Sequence, residues 1–257
     1  PQAAPQGPVR LYVRESGSRG RDRSLVAYAS DALAGDEPGP LWEQPLLPGD
    51  MPPSWADAIV FVPGAVVAMS STRVYAIDRE DGTRFWEQDW SPEQGEVHSL
   101  RSGDGLVLAT ARVAGKYDAL HALDWSGGQE VWRTDLDALR FGRQPIIGAD
   151  RIVLMPRRSQ QRGRVLDLFS GRPIVDFELP VRIHQSAHRA AWISGEQLIV
   201  PWFLTGRNED RNRILAIDLR TGDLAWNVDF GQVSGGRRQL RSVLQWDGRT
   251  FLILLPV

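Results

Sequence analysis

A motif that recurs along the chain is the sequence feature that most limits what it can fold into. The segment Val74–Trp86, VYAIDREDGTRFW, aligns without gaps on Leu120–Trp132 and on Ile214–Trp226. A weaker copy, Arg164–Val175, keeps the Asp and the Gly but has Val in place of Trp, and the copy at Leu25–Trp42 is interrupted by an insertion. Self-similarity of this kind predicts a repeat architecture, in which each copy belongs to one structural unit.

The spacing of the repeats, and the residues between them, favour the blades of a β-propeller. The Asp of the motif, at positions 78, 124, 167 and 218, recurs at intervals of 46, 43 and 51 residues, which is the period of four-stranded blades. Short apolar runs bounded by Gly, Pro, Asp or Asn, such as Ala58–Val62 and Gln197–Val200, lie between the copies and are typical of strands. No segment keeps a 3.6-residue apolar period. The sequence predicts an all-β propeller of four-stranded antiparallel blades, with about five to six blades present and a larger seven- or eight-bladed ring left open.

Within the motif, the residue types predict a tight turn between two strands, followed by a docking Trp. The Asp side chain can accept hydrogen bonds from backbone amides ahead of it, and the Gly suits a positive φ. The Ala before the Asp leaves room for a large side chain, and a Trp can bury on the order of 200 Å² against a neighbouring blade. The predicted blade-docking residues are Trp42, Trp86, Trp132, Trp226, Asp78, Asp124, Asp167, Asp218, Gly82, Gly128, Gly171 and Gly222.

These copies, and Ala216–Trp226 above all, resemble the tryptophan-docking motif of quinoprotein-type (PQQ-repeat) β-propellers. The resemblance runs from about Val9 to the end of the chain. Two groups share the motif: the pyrroloquinoline-quinone (PQQ) dehydrogenases, and non-enzymatic propellers that include the outer-membrane assembly lipoprotein of Gram-negative bacteria. The resemblance implies a bacterial protein of the periplasm or cell envelope, closer to the non-enzymatic members than to the dehydrogenases.

The repeat pattern predicts a linker or cut end over residues 1–8 and a propeller domain over residues 9–257. The expected blades lie around 9–47, 56–90, 97–136, 143–179 and 188–230, with a partial blade over 239–257. Because Val9–Val13 looks like a second strand with no inner strand before it, we expect the propeller to be part of a longer polypeptide.

Composition excludes several classes of function. A net charge of −2 argues against a protein that coats nucleic acid, which would be strongly basic, and there is no apolar run of the roughly 20 residues that a membrane helix needs. The absence of Cys excludes a disulfide scaffold, a zinc–cysteine site and a cysteine nucleophile. It also removes the vicinal Cys pair that the resemblance implies for many of the dehydrogenases. We therefore expect no cofactor. PQQ with calcium belongs to the alternative of a dehydrogenase fragment whose cofactor ligands lie outside this chain.

The sequence offers no catalytic or metal-binding constellation. His184 and His188 have helical metal-ligand spacing but fall in a predicted loop without an adjacent Glu. Asn208–Asn212 lacks the ligand pattern of a calcium loop. His121, inside a repeat strand, is interpreted as a surface residue or a hydrogen-bonded core residue.

The distribution of charge gives one candidate binding surface. In a four-stranded antiparallel blade, the loops after the second and fourth strands share one end of the sheet, here called the loop end. On the predicted strand boundaries these loops are net positive, most densely in Pro156–Arg164 and Gly235–Arg241, and a local potential of this kind steers association. The sequence predicts a non-catalytic interaction or scaffold module for a protein partner with an acidic surface or segment. The candidate partner-binding residues are Arg157, Arg158, Arg162, Arg164, Arg237, Arg238 and Arg241. Simple loop polarity and a structural spacer domain of a multidomain envelope protein remain as alternatives.

Overall fold

The computed structural model describes residues 9–16, 22–29, 39–46, 58–70, 72–90, 94–113, 117–136, 141, 145–156, 160–180, 191–203, 212–229, 238–246 and 249–256. Within these ranges every regular element is a β-strand. The strands form antiparallel sheets in which sequence neighbours pair with one another, numbered here from sheet 1 to sheet 6 along the chain.

Four of these sheets have four strands each, and they are flanked by smaller sheets. Sheet 1 has β1 Val9–Ser16, β2 Asp22–Ala29 and β3 Trp42–Leu46; sheet 2 has β4 Ile59–Val62, β5 Ala65–Met69, β6 Arg73–Asp78 and β7 Arg84–Asp89; sheet 3 has β8 Glu96–Gly103, β9 Leu106–Val113, β10 Tyr117–Asp124 and β11 Glu130–Asp135. Sheet 4 has β12 Ile146–Ile147, β13 Arg151–Leu154, β14 Arg162–Asp167 and β15 Pro173–Glu178; sheet 5 has β16 Trp192–Ser194, β17 Gln197–Phe203, β18 Asn212–Asp218 and β19 Leu224–Asp229; sheet 6 has β20 Arg238–Trp246 and β21 Arg249–Pro256.

Burial within a sheet explains its sequence pattern. The second strand β5 is buried on both faces, whereas the last strand β7 alternates half-buried and exposed residues. A strand that is covered on both faces has a continuous apolar run, and a strand at the edge alternates with a period of two. In sheet 2 the middle strands therefore carry the core, and the last strand joins the core to the surface.

The chain divides into two compact units, Pro1–Asp135 with sheets 1 to 3 and Leu136–Val257 with sheets 4 to 6. In unit 1, one core cluster joins sheet 1 to sheet 2 and another joins sheet 2 to sheet 3. In unit 2, the core joins sheet 4 to sheet 5 through side chains such as Val165, Phe177 and Leu215. Within each unit, apolar burial between successive sheets stabilises the arrangement.

The prediction of an all-β chain built from four-stranded antiparallel sheets is confirmed. Strands that are consecutive in sequence and adjacent in the sheet are the arrangement of propeller blades. The assignment of residues 9–257 to one propeller domain stays a prediction.

Candidate functional site

Four turns of pattern Asp-x-x-x-Gly join the last two strands of sheets 2 to 5. In each turn the Gly amide donates to the Asp carbonyl oxygen, at 3.1 Å for Gly82, 2.8 Å for Gly128, 3.0 Å for Gly171 and 2.8 Å for Gly222. The φ values of these glycines are 75°, 72°, 65° and 78°, in the region that residues with a Cβ avoid. The Asp Oδ1 accepts from a backbone amide ahead of it: Glu80 to Asp78 at 2.7 Å, Ser126 to Asp124 at 2.6 Å, Ser170 to Asp167 at 2.8 Å and Arg220 to Asp218 at 2.8 Å.

Hydroxyl groups strengthen two of these turns. The Ser126 hydroxyl donates to Asp124 at 2.7 Å, and the Ser170 hydroxyl donates to Asp167 at 2.6 Å. These hydrogen bonds are the main reason that the pKa of each of the two carboxyl groups lies below its usual value. Both carboxylates are therefore charged at neutral pH and keep their role as acceptors.

In unit 1, Trp86 of sheet 2 packs on the turn of sheet 3. Trp86 lies opposite Ala76 in its own sheet, and its indole N–H donates to the carbonyl oxygen of Trp125 at 2.8 Å. A Cβ atom on Gly128 would lie 2.6 Å from Cε3 of the indole. Glycine is therefore required at position 128 for its φ and also for the approach of the ring.

Trp42 of sheet 1 makes the same contacts with sheet 2. It lies opposite Ala27, and its indole N–H donates to the carbonyl oxygen of Arg79 at 3.1 Å. A Cβ atom on Gly82 would lie 2.6 Å from Cδ2 of Trp42. Two successive junctions of unit 1 thus share one geometry.

In unit 2, the junction between sheets 4 and 5 has Val175 where the other copies have Trp. A Cβ atom on Gly222 would lie 2.5 Å from the carbonyl oxygen of Asp176 and 3.1 Å from Cγ2 of Val175. The turn of sheet 5 therefore lies directly over the backbone of β15, in the space that an indole would otherwise occupy.

The remaining docking tryptophans differ in burial. Trp132 is half-buried opposite Ala122. Trp226 lies opposite Ala216, is 37% exposed, and donates its indole N–H to Oε1 of Gln197 in its own sheet at 3.1 Å.

The candidate partner-binding arginines are only partly described. Arg157, Arg158 and Arg237 lie outside the described residues, and so do the side chains of Arg238 and Arg241, whose backbone belongs to β20. The histidines His184 and His188 also lie outside them, as do residues 208–211.

The prediction that Arg238 and Arg241 belong to a loop is wrong, because β20 begins at Arg238. The prediction that Arg162 and Arg164 belong to a loop is wrong as well, because β14 begins at Arg162. Gly163 takes its place in this strand because the ring of Phe177 occupies the space of a side chain, with Cζ 2.1 Å from an ideal Cβ. Arg164 lies opposite Asp176, and its guanidinium donates to both carboxylate oxygens at 2.6 and 3.0 Å. Asp176 raises the pKa of Arg164, and Arg164 lowers the pKa of Asp176, so the two charges largely offset each other.

The position of Arg164 carries different chemistry in each sheet. The equivalent residue is Tyr75 in sheet 2, His121 in sheet 3 and Leu215 in sheet 5, and each lies opposite the residue nine positions after the motif Asp. Tyr75 is covered by the Arg84 guanidinium at 4.5 Å from the ring centroid, and burial raises its pKa to about 12.

Of the two interpretations of His121, a surface residue or a hydrogen-bonded core residue, the structure shows the core residue. Its side chain is fully buried, Nδ1 lies 2.6 Å from Oε2 of Glu130, and its ring meets Trp90 edge-on with 4.8 Å between centroids. Nε2 has no hydrogen-bond partner among the described residues. Burial lowers the pKa of His121, although Glu130 opposes the change. The available signal was a His at a position that the other copies fill with Tyr, Arg or Leu.

The described residues contain no group of three or more His, Cys, Asp or Glu side chains arranged to hold a metal ion. Nowhere in them does a helix have the length and apolarity needed to cross a membrane.

Successive antiparallel four-stranded sheets with Asp–Gly turns and docking tryptophans define a β-propeller of the tryptophan-docking class. A protein-family profile described as "Outer membrane protein assembly factor BamB" matches residues 70–227, which is more than half of the chain. The chain belongs to this family of PQQ-type propeller repeats. No curated protein sequence matches it significantly.

Several solved structures are similar to the chain. BamB from Moraxella catarrhalis is 12% identical with a TM-score of 0.46, and the match covers 99% of this chain and 92% of that one. Quinohemoprotein alcohol dehydrogenase from Comamonas testosteroni is 17% identical with a TM-score of 0.46, covering 77% and 39%. Apo AztD from Citrobacter koseri is 9% identical with a TM-score of 0.53, covering 85% and 59%. The chain thus spans less than two thirds of the last two proteins, and the AztD likeness bears on the fold alone.

Proposed function

We propose that this chain is a non-catalytic protein-interaction module, a scaffold in the periplasm or envelope of a bacterium. The observation that carries the proposal is the family match over residues 70–227, because that family is described as an outer-membrane assembly factor. Assembly factors act by contacting other proteins, and the proposal extends this role to the present chain.

The local structure supports a binding role. The Asp–Gly turns are stabilised by their own side chains, and the docking tryptophans join one sheet to the next in unit 1. Loops that are carried by such a rigid framework are where binding residues concentrate. The proposed partner surface is the loop end of the sheets, where the clusters Pro156–Arg164 and Gly235–Arg241 would attract a protein with an acidic surface or segment.

The arginines do not contribute equally to this proposal. Arg164 is largely neutralised by Asp176, so it is the weakest member of the set. Arg162 is exposed in β14. We assign the main binding role to Arg157, Arg158, Arg237 and Arg238.

Charge reversal tests the proposed surface. We would compare the wild-type chain with the Arg157→Glu/Arg158→Glu/Arg237→Glu/Arg238→Glu variant by cross-linking in intact cells and mass spectrometry of the cross-linked partners. The matched control is Arg79→Glu/Arg172→Glu, because both residues are exposed and lie at the end of the sheet opposite the loop end. We expect the fourfold variant to lose its partners and the control to keep them, with equal thermal stability. A fourfold variant that keeps every partner would show that the proposed surface is wrong.

A second experiment tests whether this chain itself binds the dehydrogenase cofactor. Because the chain has no Cys, it lacks the vicinal Cys pair that the family resemblance implies for many of the dehydrogenases, and the proposal is that it binds no PQQ. We expect no thermal shift on titration with PQQ, with or without calcium. A bound ligand at a hundredfold excess over its dissociation constant stabilises a protein by about 2.7 kcal/mol, and a shift of that size would favour the dehydrogenase.

A further inference from the structure

The chain contains three Asp–Gly pairs, and the structure describes two of them in different surroundings. The pairs are Asp81–Gly82, Asp104–Gly105 and Asp247–Gly248, of which the last lies outside the described residues. In such a pair the backbone nitrogen of the Gly can attack the carboxyl carbon of the Asp side chain and close a five-membered ring. Glycine favours this reaction because it has no side chain to block the attack and restricts the backbone least. The surroundings of each pair then decide whether it reacts.

The pair Asp104–Gly105 is open to solvent. It forms the two-residue connection between β8 and β9, next to the paired residues Gly103 and Leu106, a common place for Asp–Gly in hairpins. Both residues are exposed, and nothing lies within 4 Å of the Cβ position of Gly105. Within the described part of the chain, neither the Asp104 carboxylate nor the Gly105 amide makes a hydrogen bond. No such bond therefore has to break before the Gly105 nitrogen approaches the carboxyl group.

The pair Asp81–Gly82 is held by its neighbours. Oδ1 of Asp81 accepts from the amide of Thr83 at 2.8 Å and from its hydroxyl at 2.7 Å. The Gly82 amide donates to the carbonyl oxygen of Asp78 at 3.1 Å, and the Trp42 indole occupies the Cβ position of Gly82. The Thr83 hydrogen bonds also lower the pKa of Asp81, which reduces the protonated fraction that closes the ring. This turn has to open locally before it can react.

We propose that Asp104 is a site of covalent modification, at which the folded chain converts aspartate into isoaspartate without an enzyme. In the first step a bond forms between the Gly105 nitrogen and Cγ of Asp104, and the carboxyl hydroxyl leaves as water together with the amide proton. Water then adds to one of the two ring carbonyl groups. Cleavage of the bond between the nitrogen and the main-chain carbonyl carbon gives isoaspartate, whereas cleavage of the bond to Cγ restores aspartate. One water leaves and one enters, so the product has the same mass.

The modified turn carries the backbone through the former side chain. This adds one methylene group to the connection between β8 and β9 and leaves the main-chain carboxyl group of residue 104 free. Such a free carboxylate is the group that protein isoaspartyl methyltransferases esterify, so the modified chain is a substrate for a methyl-donating repair enzyme. The turn lies at the end of sheet 3 opposite the loop end, and its modification leaves the arginines of the proposed partner surface unchanged.

Ageing of the whole chain at neutral pH, followed by tryptic digestion, tests this assignment. The two pairs fall in separate tryptic peptides, Ser102–Arg112 and Glu80–Arg84, and chromatography with mass spectrometry separates isoaspartyl from aspartyl forms. In the folded chain, isoaspartate should accumulate at least about tenfold faster at Asp104 than at Asp81, because Asp81 reacts only after local opening. In urea, where both surroundings are lost, the two pairs should convert at similar rates.

Asparagine variants sharpen the comparison, because Asn before Gly closes the same ring with loss of ammonia and reacts faster. Asp104→Asn should convert rapidly in the folded chain, whereas the matched variant Asp81→Asn should convert rapidly only in urea. Asp104→Ser removes the reacting carboxyl group. In the aged protein this variant should lose the methyl transfer from labelled S-adenosylmethionine that an isoaspartyl methyltransferase directs to peptide Ser102–Arg112.

Equal accumulation of isoaspartate at the two pairs in the folded chain would overturn the proposal, because the fold would then not distinguish them. A folded chain that forms no isoaspartate at Asp104, while urea produces it at both pairs, would also overturn it, since the turn between β8 and β9 would then protect Asp104. Circular dichroism before and after ageing confines the comparison to chains that remain folded.

Discussion

Two junctions between neighbouring sheets use the same motif position with different residues. Between sheets 2 and 3 of unit 1, the Trp86 indole fills the space over Gly128, and its N–H donates a hydrogen bond to the carbonyl oxygen of Trp125. Between sheets 4 and 5 of unit 2, Val175 places no ring over the turn, and Gly222 lies against the backbone of β15. The Gly is needed in both junctions because an atom occupies its Cβ position, whereas the Trp can be replaced when the sheets approach more closely.

The largest effects are expected from filling the Cβ position of these glycines. Gly222→Ala would place a Cβ 2.5 Å from the backbone oxygen of Asp176, which cannot rotate away. Backbone strain of about 1–2 kcal/mol and overpacking of about 1–3 kcal/mol together predict a loss of about 2–5 kcal/mol in the free energy of unfolding. Gly128→Ala should lose about 2–3 kcal/mol, because the Trp86 ring can shift.

The control for both substitutions is Gly105→Ala. Its φ is +73°, but nothing lies within 4 Å of the Cβ position, so strain alone should cost about 1–2 kcal/mol. Urea unfolding of the three variants measures the difference. Equal losses in all three would show that the close contacts contribute nothing.

Removing the docking side chains should come next in size. Trp86→Ala deletes a large half-buried ring and a hydrogen bond, and we expect a loss of about 3 kcal/mol. Val175→Ala removes two methyl groups and should lose about 1 kcal/mol. Both values come from urea unfolding monitored by far-ultraviolet circular dichroism. If the two losses were equal, the two junctions would not differ in the way described.

Restoring the motif in unit 2 should destabilise it. Val175→Trp would introduce an indole where Cγ2 of Val175 already lies 3.1 Å from the Cβ position of Gly222. We expect a loss of about 1–3 kcal/mol from overpacking, measured in the same way. A stabilised variant would mean that sheets 4 and 5 can separate to accept the ring, and that their close approach is not intrinsic.

The smallest effect expected is a dependence of the stability on pH that arises from His121 in unit 1. The folded pKa of His121 lies below the usual value of 6.5 because its ring is buried. Between these two pKa values the unfolded chain binds more protons than the folded chain, so the stability falls as the pH falls. The charged groups that influence His121 are Glu130, Arg133 and Asp135.

Urea unfolding at pH 7.5 and at pH 5.5 measures this effect. His121→Leu reproduces the residue found at the equivalent position 215 in unit 2 and should reduce the pH dependence. A variant that remains as sensitive to acid as the wild type would assign the effect to another group.

Much of the fold could be predicted from the sequence because the residues of the motif determine its local structure. An Asp that accepts amide hydrogen bonds and a Gly with positive φ determine each turn within a few residues, so Asp78–Gly82 can be interpreted from the sequence alone. The family resemblance drawn from the Trp-containing copies is confirmed by the match over residues 70–227.

The features that depend on contacts between strands could not be predicted. Arg162 and Arg164 suggested a loop because charge and glycine are typical of loops, but Phe177 and Asp176 on the neighbouring strand make the segment a strand. The ring of His121 packs against Trp90, which directly follows the last strand of the preceding sheet.

A double-mutant cycle between Trp86 and Gly128 tests whether the Trp86 indole docks on the turn of sheet 3. If the indole fills the Cβ position of Gly128, Trp86→Ala removes the clash that Gly128→Ala would create. The double variant should then be more stable than the sum of the single losses implies, by at least about 1 kcal/mol. The same cycle with Gly105→Ala, where nothing occupies the Cβ position, should be additive within about 0.5 kcal/mol. Additivity in both cycles would contradict docking of Trp86 on the turn of the next sheet.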